Sequence, residues 1–389
     1  MNIIKSMMVV SSIGLAGLLS TDVQAEVGNI RWNGFLSVAG GVVFDEDENF
    51  RVNNGTFAGY DDDVSFKPDT LVALQAGVDL AEGLSVTAQL VGKGNDDFDA
   101  NFEWAYLSYE FNDQWKVNFG KLRVPFYLYS DYLDVAYAYH WLRPPTTVYS
   151  STPFDTYEGV SVLYNSQLGD WDSMMQLTYG SHDSDPAAGR LEISDLAGIS
   201  WGLEYDWFSV RVAYLQAAVG LSNDSLNAIA GGLSAAGLSS QENKFSVTED
   251  DDTGTFATIG MKAEYEEYVF VGEFTTVDIE DSFFAKSDQY YVSGARRFDD
   301  ITVHLTYEAS EADAKSEVIN AIPNVPALAG LRAGVSTVVN AQRSDVEIST
   351  IGMRYDFHPS AALKLELSDV QRKYNGDATL FSVSVDLIF

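Results

Sequence analysis

Ile259-Gly260-Met261-Lys262-Ala263-Glu264-Tyr265-Glu266-Glu267-Tyr268-Val269-Phe270-Val271-Gly272-Glu273-Phe274 is the stretch on which the fold turns. Ile259, Met261, Ala263 and Tyr265 occupy alternate positions before a polar turn at 266–267. Tyr268, Phe270, Gly272 and Phe274 do so after it. Period two on both sides of a tight turn marks a β-hairpin. The opposite face of the first arm carries Lys262 and Glu264. A dry core charges heavily for such groups, whereas a wet interior does not.

The same unit recurs along the chain. Trp32 to Phe44, Val72 to Leu80, Leu84 to Leu90, Ala105 to Phe111 and Trp115 to Phe119 alternate. So do Val160 to Tyr164, Trp171 to Tyr179, Ile199 to Tyr205 and Val210 to Tyr214. Tyr291, Ser293 and Ala295 read as the apolar face of the next strand. Ile301 to Tyr307, Ile351 to Tyr355, Ala361 to Leu367 and Phe381 to Phe389 follow. The total is about 16 strands, an all-β chain. Charged residues stand on the other faces: Lys93, Glu103, Lys116, Arg211, His304, Lys364 and Glu366.

Two regularities turn the strand list into an architecture. Connections near 81–83, 112–114, 166–170, 206–208, 266–267, 298–300 and 356–360 are short. Those near 45–68, 124–157, 182–195, 217–255 and 310–345 are long. A transmembrane antiparallel barrel has short turns at one end and long loops at the other. Phe111, Trp115, Tyr164, Trp171, Tyr205, Trp207, Tyr265, Tyr268, Phe298 and Tyr355 all flank the short turns. Folded as hairpins they stand at one height, where Trp and Tyr favour the lipid headgroups. The segments 225–240 and 320–340, rich in Ala, Leu and Gly, read as outer loops with at most a short helical turn.

Composition agrees. The 389 residues carry 23 Lys plus Arg against 57 Asp plus Glu, a formal balance of −34. That excludes a nucleic-acid binder, which needs a basic face. Cysteine is absent, so disulfides and thiolate metal sites are excluded. Mean hydropathy is near zero, against a multi-helix membrane protein. At the amino terminus Lys5, the apolar run Met7 to Leu19 and Val23-Gln24-Ala25 read as a secretory signal over 1–25. The barrel domain is then expected over 26–389.

The closing segment Leu380-Phe381-Ser382-Val383-Ser384-Val385-Asp386-Leu387-Ile388-Phe389 resembles the last strand of Gram-negative outer-membrane porins. The resemblance implies that Phe381, Val383, Val385, Leu387 and Phe389 form a signal for the barrel assembly machinery. Phe119-Gly120-Lys121-Leu122-Arg123-Val124-Pro125-Phe126 resembles the end of a porin's fifth strand, in particular in the phosphate-selective-porin-like group. There such a stretch introduces a third loop that folds inward and narrows the pore. By strand count 124–157 is also the third loop. The resemblance further implies a homotrimer in the cell outer membrane, in contact with lipid and lipopolysaccharide.

A barrel this wide leaves a lumen for water, so permeation depends on the narrowest section and its charges. The 124–157 loop supplies Asp131, Asp134, Arg143 and Asp155, seven aromatic residues from Tyr127 to Tyr149, and a stiffening Pro144-Pro145. The expected wall bases are Lys121, Arg123, Arg211, Lys262, Arg296 and Arg354. Acid on the loop against base on the wall sets a transverse field that favours small hydrophilic solutes and ions. The overall balance favours cations mildly; the phosphate-type resemblance favours anions or a substrate-specific channel. The aromatic residues serve either as packing or as a stacking surface for sugars. Acid runs such as Asp45–Glu48, Asp61–Asp63 and Glu249–Asp252 belong to outer loops, where they solvate the face or hold divalent cations against lipopolysaccharide. No spaced metal-ligand loop, cofactor motif or catalytic constellation stands out; the four His include His182 in Ser181-His182-Asp183, which has no fixed geometry.

Overall fold

The computed structural model describes residues 29–52, 59–185, 189–247 and 252–389. The expected signal segment 1–25 and the acids Glu249 to Asp251 lie outside them. Sixteen antiparallel strands close into one barrel. They are β1 Arg31–Val43, β2 Leu71–Ala81, β3 Leu84–Lys93, β4 Ala100–Glu110, β5 Trp115–Arg123, β6 Thr156–Leu168, β7 Trp171–Ser184 and β8 Arg190–Tyr205. The second half comprises β9 Phe208–Ser222, β10 Thr253–Tyr265, β11 Tyr268–Ile279, β12 Ser287–Phe298, β13 Ile301–Ala312, β14 Ser344–His358, β15 Ala361–Arg372 and β16 Ala378–Ile388. Each strand pairs with its sequence neighbours, and β1 closes on β16 with Phe35 opposite Ile388 and Val43 opposite Leu380. A closed ring satisfies every strand edge, which is the condition for β-structure in lipid.

The alternation sets the faces as expected on most strands. Trp32, Val38, Leu177, Tyr214, Phe270, Leu305 and Ile351 are exposed outward, while Ser161, Thr178, Thr275, His304 and Lys364 are buried on the lumen side. β12 is the exception. Tyr291, Ser293 and Ala295 face the lumen, and Tyr290, Val292, Gly294, Arg296 and Phe298 pair across β13 with the outward face. Both faces of this strand carry small or aromatic residues, so period two alone left its phase open.

The short turns form one rim. Asp206, Glu266 and Asp299 take left-handed φ of 45°, 53° and 51°, the twist that tight hairpins need. The rim aromatics meet in pairs: Trp115 with Tyr164 at 4.6 Å between ring centroids, and Trp171 with Tyr205 at 5.3 Å. The carboxyl terminus lies at this rim. Phe389 N donates to Gly34 O at 3.0 Å, and Gly34 N to Phe389 O at 2.8 Å. Its ring lies over Gly34, where a Cβ would stand 2.3 Å from a ring carbon.

At the other rim the loops differ from expectation in two respects. The stretch 182–195 is mostly strand, because β7 runs to Ser184 and β8 starts at Arg190. The long loops are L1 (44–70), L3 (124–155), L5 (223–252) and L7 (313–343). L5 and L7 also hold more helix than expected. L5 carries Asp224–Ala235 and Ser239–Phe245; L7 carries Ser316–Asn320 and Ala329–Asn340. The side chain of Asn223 accepts from Leu226 N at 2.8 Å and caps the first of them. Gly237, at φ 71°, ends it, and Leu238 N returns to Leu233 O. Leu226, Ala230 and Leu233 form its buried face, as Val335 and Val339 do for the last. These faces join Leu191, Ile193, Leu196, Leu215, Val219 and Phe256 of the inner wall in one apolar cluster. The lumen beside β8 to β10 is therefore dry at this end rather than water-filled.

Candidate functional site

L3 leaves β5 after Gly120, whose φ of 136° and close approach to Ala105 O (2.3 Å from a would-be Cβ) suit only glycine. Pro125, Pro144, Pro145 and Pro153 suppress regular structure in the loop, which forms only brief helical turns at Ser130–Tyr132, Ala136–Ala138 and Thr146–Tyr149. Its backbone polar groups must then find side-chain partners. The wall supplies them. Glu273 of β11 accepts from Leu128 N at 2.8 Å, Glu308 of β13 from Thr147 N at 2.9 Å and Glu366 of β15 from Leu142 N at 2.6 Å. Lys364 donates to Ala136 O and Trp141 O, both at 2.6 Å. Arg354 donates to Tyr137 O at 2.6 Å and Tyr139 O at 2.7 Å. Wall carboxylates take the loop's N–H groups and wall cations its carbonyls, by charge-assisted bonds that are stronger than neutral ones.

The loop aromatics lock the same contact. Trp141 is buried, and its Nε1 donates to Thr306 at 2.9 Å and Ser293 at 3.1 Å. Tyr129 meets Tyr139 and Trp141 edge to face, at 5.6 and 5.7 Å. Tyr127, Tyr129 and Tyr139 are buried too. The cluster is packing, not an open stacking surface. His140 lies between Trp141 and His304 of β13, with ring centroids at 4.1 and 5.1 Å. Burial, then the neighbouring His304, hold its imidazole well below the ordinary histidine range.

Eight of the ten candidate pore residues lie inside. Arg123, Asp134 and Asp155 join Lys93 and Glu103: Lys93 lies 2.8 Å from Glu103 and 3.1 Å from Asp134, and Arg123 lies 2.5 Å from Asp134 and 3.8 Å from Asp155. Burial alone would raise the Asp134 carboxyl; Arg123 and then Lys93 outweigh it and hold it well below the carboxylate range. Asp131 meets Arg211 of β9 at 2.9 Å. Arg143 reverses the expected polarity, a loop base on Asp69 at 2.8 Å and within 3.8 Å of Glu366. Lys262 pairs with Glu264 at 3.0 Å, and Arg354 with Asp356 at 2.6 Å.

The other two are corrected. Arg296 belongs to the outward face of β12, where it stacks on Phe298 and Tyr268 and meets Glu267 at 3.2 Å. Its neighbour Arg297 faces inward and pairs with Glu264. Lys121 lies on the register of outward Phe119, opposite Glu158 of β6. Glu273, Glu308 and Asp69 had no place in the expected site. The two glutamates do fall on inward positions in otherwise apolar or neutral stretches, which is the signal they leave in the sequence.

Between L3, L1 and the upper ends of β2 and β3 lies a cavity of about 220 Å³, lined among others by Asp69, Lys93, Asp134, Arg143, Tyr149 and Asp155. Its charged lining is three carboxylates and two bases.

No family model matches this chain, and no curated protein does. Solved structures do match. The outer membrane channel DcaP of Acinetobacter baumannii is 13% identical, over 93% of this chain and 97% of that one, with a TM-score of 0.59. OmpT of Vibrio cholerae in its trimer form is 13% identical over 94% of this chain and all of that one, at 0.56. An anion-selective porin from Comamonas acidovorans is 14% identical over 93% of this chain and 99% of that one, at 0.53. The fold is porin-like. At such identities the likeness covers the barrel and leaves the lumen chemistry to this chain's own residues.

Proposed function

We propose that this chain is an outer-membrane channel for passive diffusion of ions and small hydrophilic solutes, with mild cation preference. The observation that carries the preference is the layering of the ion pairs. Arg123 is 5% exposed and its partner Asp155 34%; Arg211 is 7% and Asp131 57%; Arg354 is 13% and Asp356 35%. The bases back onto protein, and the carboxylates meet the lumen. A passing ion sees the outer member of each pair more strongly, because screening weakens a charge more the farther it lies from the ion. Lys93 and Arg297, each more exposed than its acid partners, and Arg143 against Glu366 are the exceptions.

The expected measurement is a reversal potential of cation sign in a planar bilayer under a salt gradient, shrinking as salt shortens the Debye length below ~8 Å. An anion sign overturns the preference. The rival reading, a phosphate or other anion channel, draws on Phe119–Phe126 and on the likeness to the anion-selective Comamonas porin; the buried bases weigh against it. An oligosaccharide channel would need exposed ring faces, which the packed tyrosines do not offer. Diffusion through such a lumen calls for no catalytic group, and an enzyme role is not proposed.

The trimer form of the OmpT structure supports a homotrimer here. The outward row Phe381, Val383, Val385, Leu387 and Phe389 supports the proposed recognition by barrel assembly machinery. The aromatic rim supports contact with lipid, and the acidic outer loops contact with lipopolysaccharide.

A further inference from the structure

β1 outruns β2 at the outer rim. Their last pair is Ser37 with Leu71, so Ala39, Gly41 and Val43 have no β2 residue beside them. A bare strand edge needs other partners. L1 supplies them: Thr70 Oγ1 accepts from Ala39 N at 3.0 Å, Ser65 O from Gly41 N at 2.9 Å and Asp61 O from Val43 N at 2.7 Å. From this edge L1 turns into the barrel. Its short strands Phe50–Arg51 and Gly59–Tyr60 pair with each other. The side chains of Phe50 and Tyr60, 4% and 0% exposed, pack with Val43, Ile348, Val370 and Leu380. These are lumen-side positions, since Ile348 stands opposite Glu308 on β13 and opposite Val370 on β15. Gly41 makes room for the Tyr60 ring: a Cβ there would stand 2.9 Å from a ring carbon. L1 then closes on Arg143 of L3. The guanidinium carbon lies 5.5 Å from the Phe50 ring centroid and 5.7 Å from that of Tyr60, within cation–π range of both. Asp69 Oδ2 accepts from Arg143 Nε at 3.0 Å, from its Nη2 at 2.8 Å and from Tyr60 Oη at 2.8 Å. Nη2 also donates to Ser382 of β16 at 2.8 Å. One side chain thus ties L1 to L3 and to the wall.

We infer that L1 is a second pore-narrowing loop, held inside the barrel by the clasp of Phe50, Tyr60 and Asp69 on Arg143, and that L1 and L3 together set the size limit of the passage. The cavity of about 220 Å³ has L1 on one side, through Val52, Pro68 and Asp69, and L3 on the other, through Arg143, Tyr149 and Asp155. Lifting L1 adds the space of the Phe50 and Tyr60 side chains to that cavity. L3 stays in place without the clasp, because Glu273, Glu366, Lys364 and Arg354 hold its backbone from the wall. The clasp therefore positions L1 more than L3. This role rests on the channel reading and deepens it.

The test uses full-length protein in planar bilayers, with KCl current as the carrier and polyethylene glycols of graded size as the gauge of width. Tyr60→Ala empties the clasp, whereas Tyr60→Phe keeps its ring. Tyr60→Ala is expected to raise the single-channel conductance by roughly half and to admit larger polymers, as a wider narrowest section does; Tyr60→Phe is expected to stay near wild type. Asp69→Asn weakens the hold on Arg143 without emptying the packing. It serves if Tyr60→Ala does not insert, and a smaller rise in the same direction is expected. The chain has no cysteine, so single thiols report which loop has moved. Ile348→Cys lies under L1, and Ser293→Cys under Trp141 of L3. A water-soluble maleimide is expected to reach the first in the Tyr60→Ala or Asp69→Asn background only, and the second in none. Three outcomes overturn the role of L1: wild-type conductance and polymer limit in the variants that insert, reaction at Ile348→Cys in the otherwise unchanged chain, or reaction at Ser293→Cys alongside the wider pore. Absence of any KCl current in the wild type overturns the channel reading itself, and this role with it.

Discussion

His140 and Asp134 lie on the same loop and answer to pH in opposite ranges. The His140 imidazole is held below its ordinary value, so docked L3 keeps it neutral. Free of the wall it would titrate near ~6.5. Between those two values the undocked loop binds a proton that the docked loop does not, so docking weakens as pH falls below about 6.5, by at most ~1.4 kcal/mol per pH unit. The groups that face it, His304, Lys364, Lys262 and Arg354, are basic, and Glu366 meets His304 at 3.4 Å. The expected outcome is more frequent current closures or steps at pH 5 than at pH 8, and a flat response in His140→Phe. Asp134 has the opposite sign. Its docked value is depressed, so its contribution is complete above about 3.9 and is lost only well below that. Removing it by Asp134→Ala leaves Arg123 and Lys93 with only Glu103 and, at 3.8 Å from Arg123, the more exposed Asp155 to balance them, at a cost of up to about 3–5 kcal/mol. Open-channel noise should rise in that variant at neutral pH, where the wild type is quiet. The sequence made Asp134, Arg123 and Arg211 visible as charges on the loop and on inward strand positions. It did not show which acid meets which base. That is fixed by where L3 crosses the lumen, a matter of three dimensions rather than of spacing. Arg143 shows the limit: the sequence placed it among the charges of the third loop and named no partner for it, and Asp69 of L1 takes it.

At the scale of elements, L3 behaves as a strap with only brief helical turns, held by strand side chains. Glu273 is its most connected anchor, accepting from Leu128 N at 2.8 Å, Tyr149 Oη at 2.9 Å and Tyr291 Oη at 3.3 Å. Glu273→Ala removes all of these acceptors and strands a backbone N–H, about 1–3 kcal/mol for that group alone. Glu273→Gln keeps an acceptor oxygen and is expected to retain the wild-type conductance level. A thiol placed at exposed Tyr132 and probed with a water-soluble maleimide should then react faster in the Ala background than in the Gln one. Equal rates would place the hold on L3 elsewhere. Hairpins were legible because lipid demands an apolar residue at every outward position and water inside tolerates a charge. β12 was not, since Tyr291 and Ser293 face the lumen as partners of Glu273 and Trp141, so its inner side looks as apolar as its outer. The L5 and L7 helices escaped for a related reason. Their buried faces answer to Leu215, Val219 and Phe256 on the inner wall, a contact far away in sequence that short Ala- and Gly-rich segments do not announce.

The whole molecule depends on closure, because a barrel open at one seam exposes unpaired backbone to hydrocarbon. The seam joins the first strand made to the last, β1 to β16. It is short of side-chain cross-links at the rim: Gly34 and Phe389 exchange backbone bonds, and the terminal ring fills the space that glycine leaves. Gly34→Val sets a side chain against that ring and against Ala73 O at 3.0 Å on the other side. The ring can turn away, whereas the carbonyl cannot. Two contributions are therefore separable. Gly34→Val is expected to lower the temperature at which the folded band converts to the unfolded one in detergent gels. Phe389→Ala alone is expected to lower it less, having lost only ring contact at a position already largely exposed. In the double variant the clash with the ring disappears and only that with the Ala73 carbonyl remains, so its conversion temperature should lie above that of Gly34→Val alone. A double variant that is additive or worse would mean that the ring does not pack on Gly34, and that the terminal Phe serves assembly without taking part in the seam.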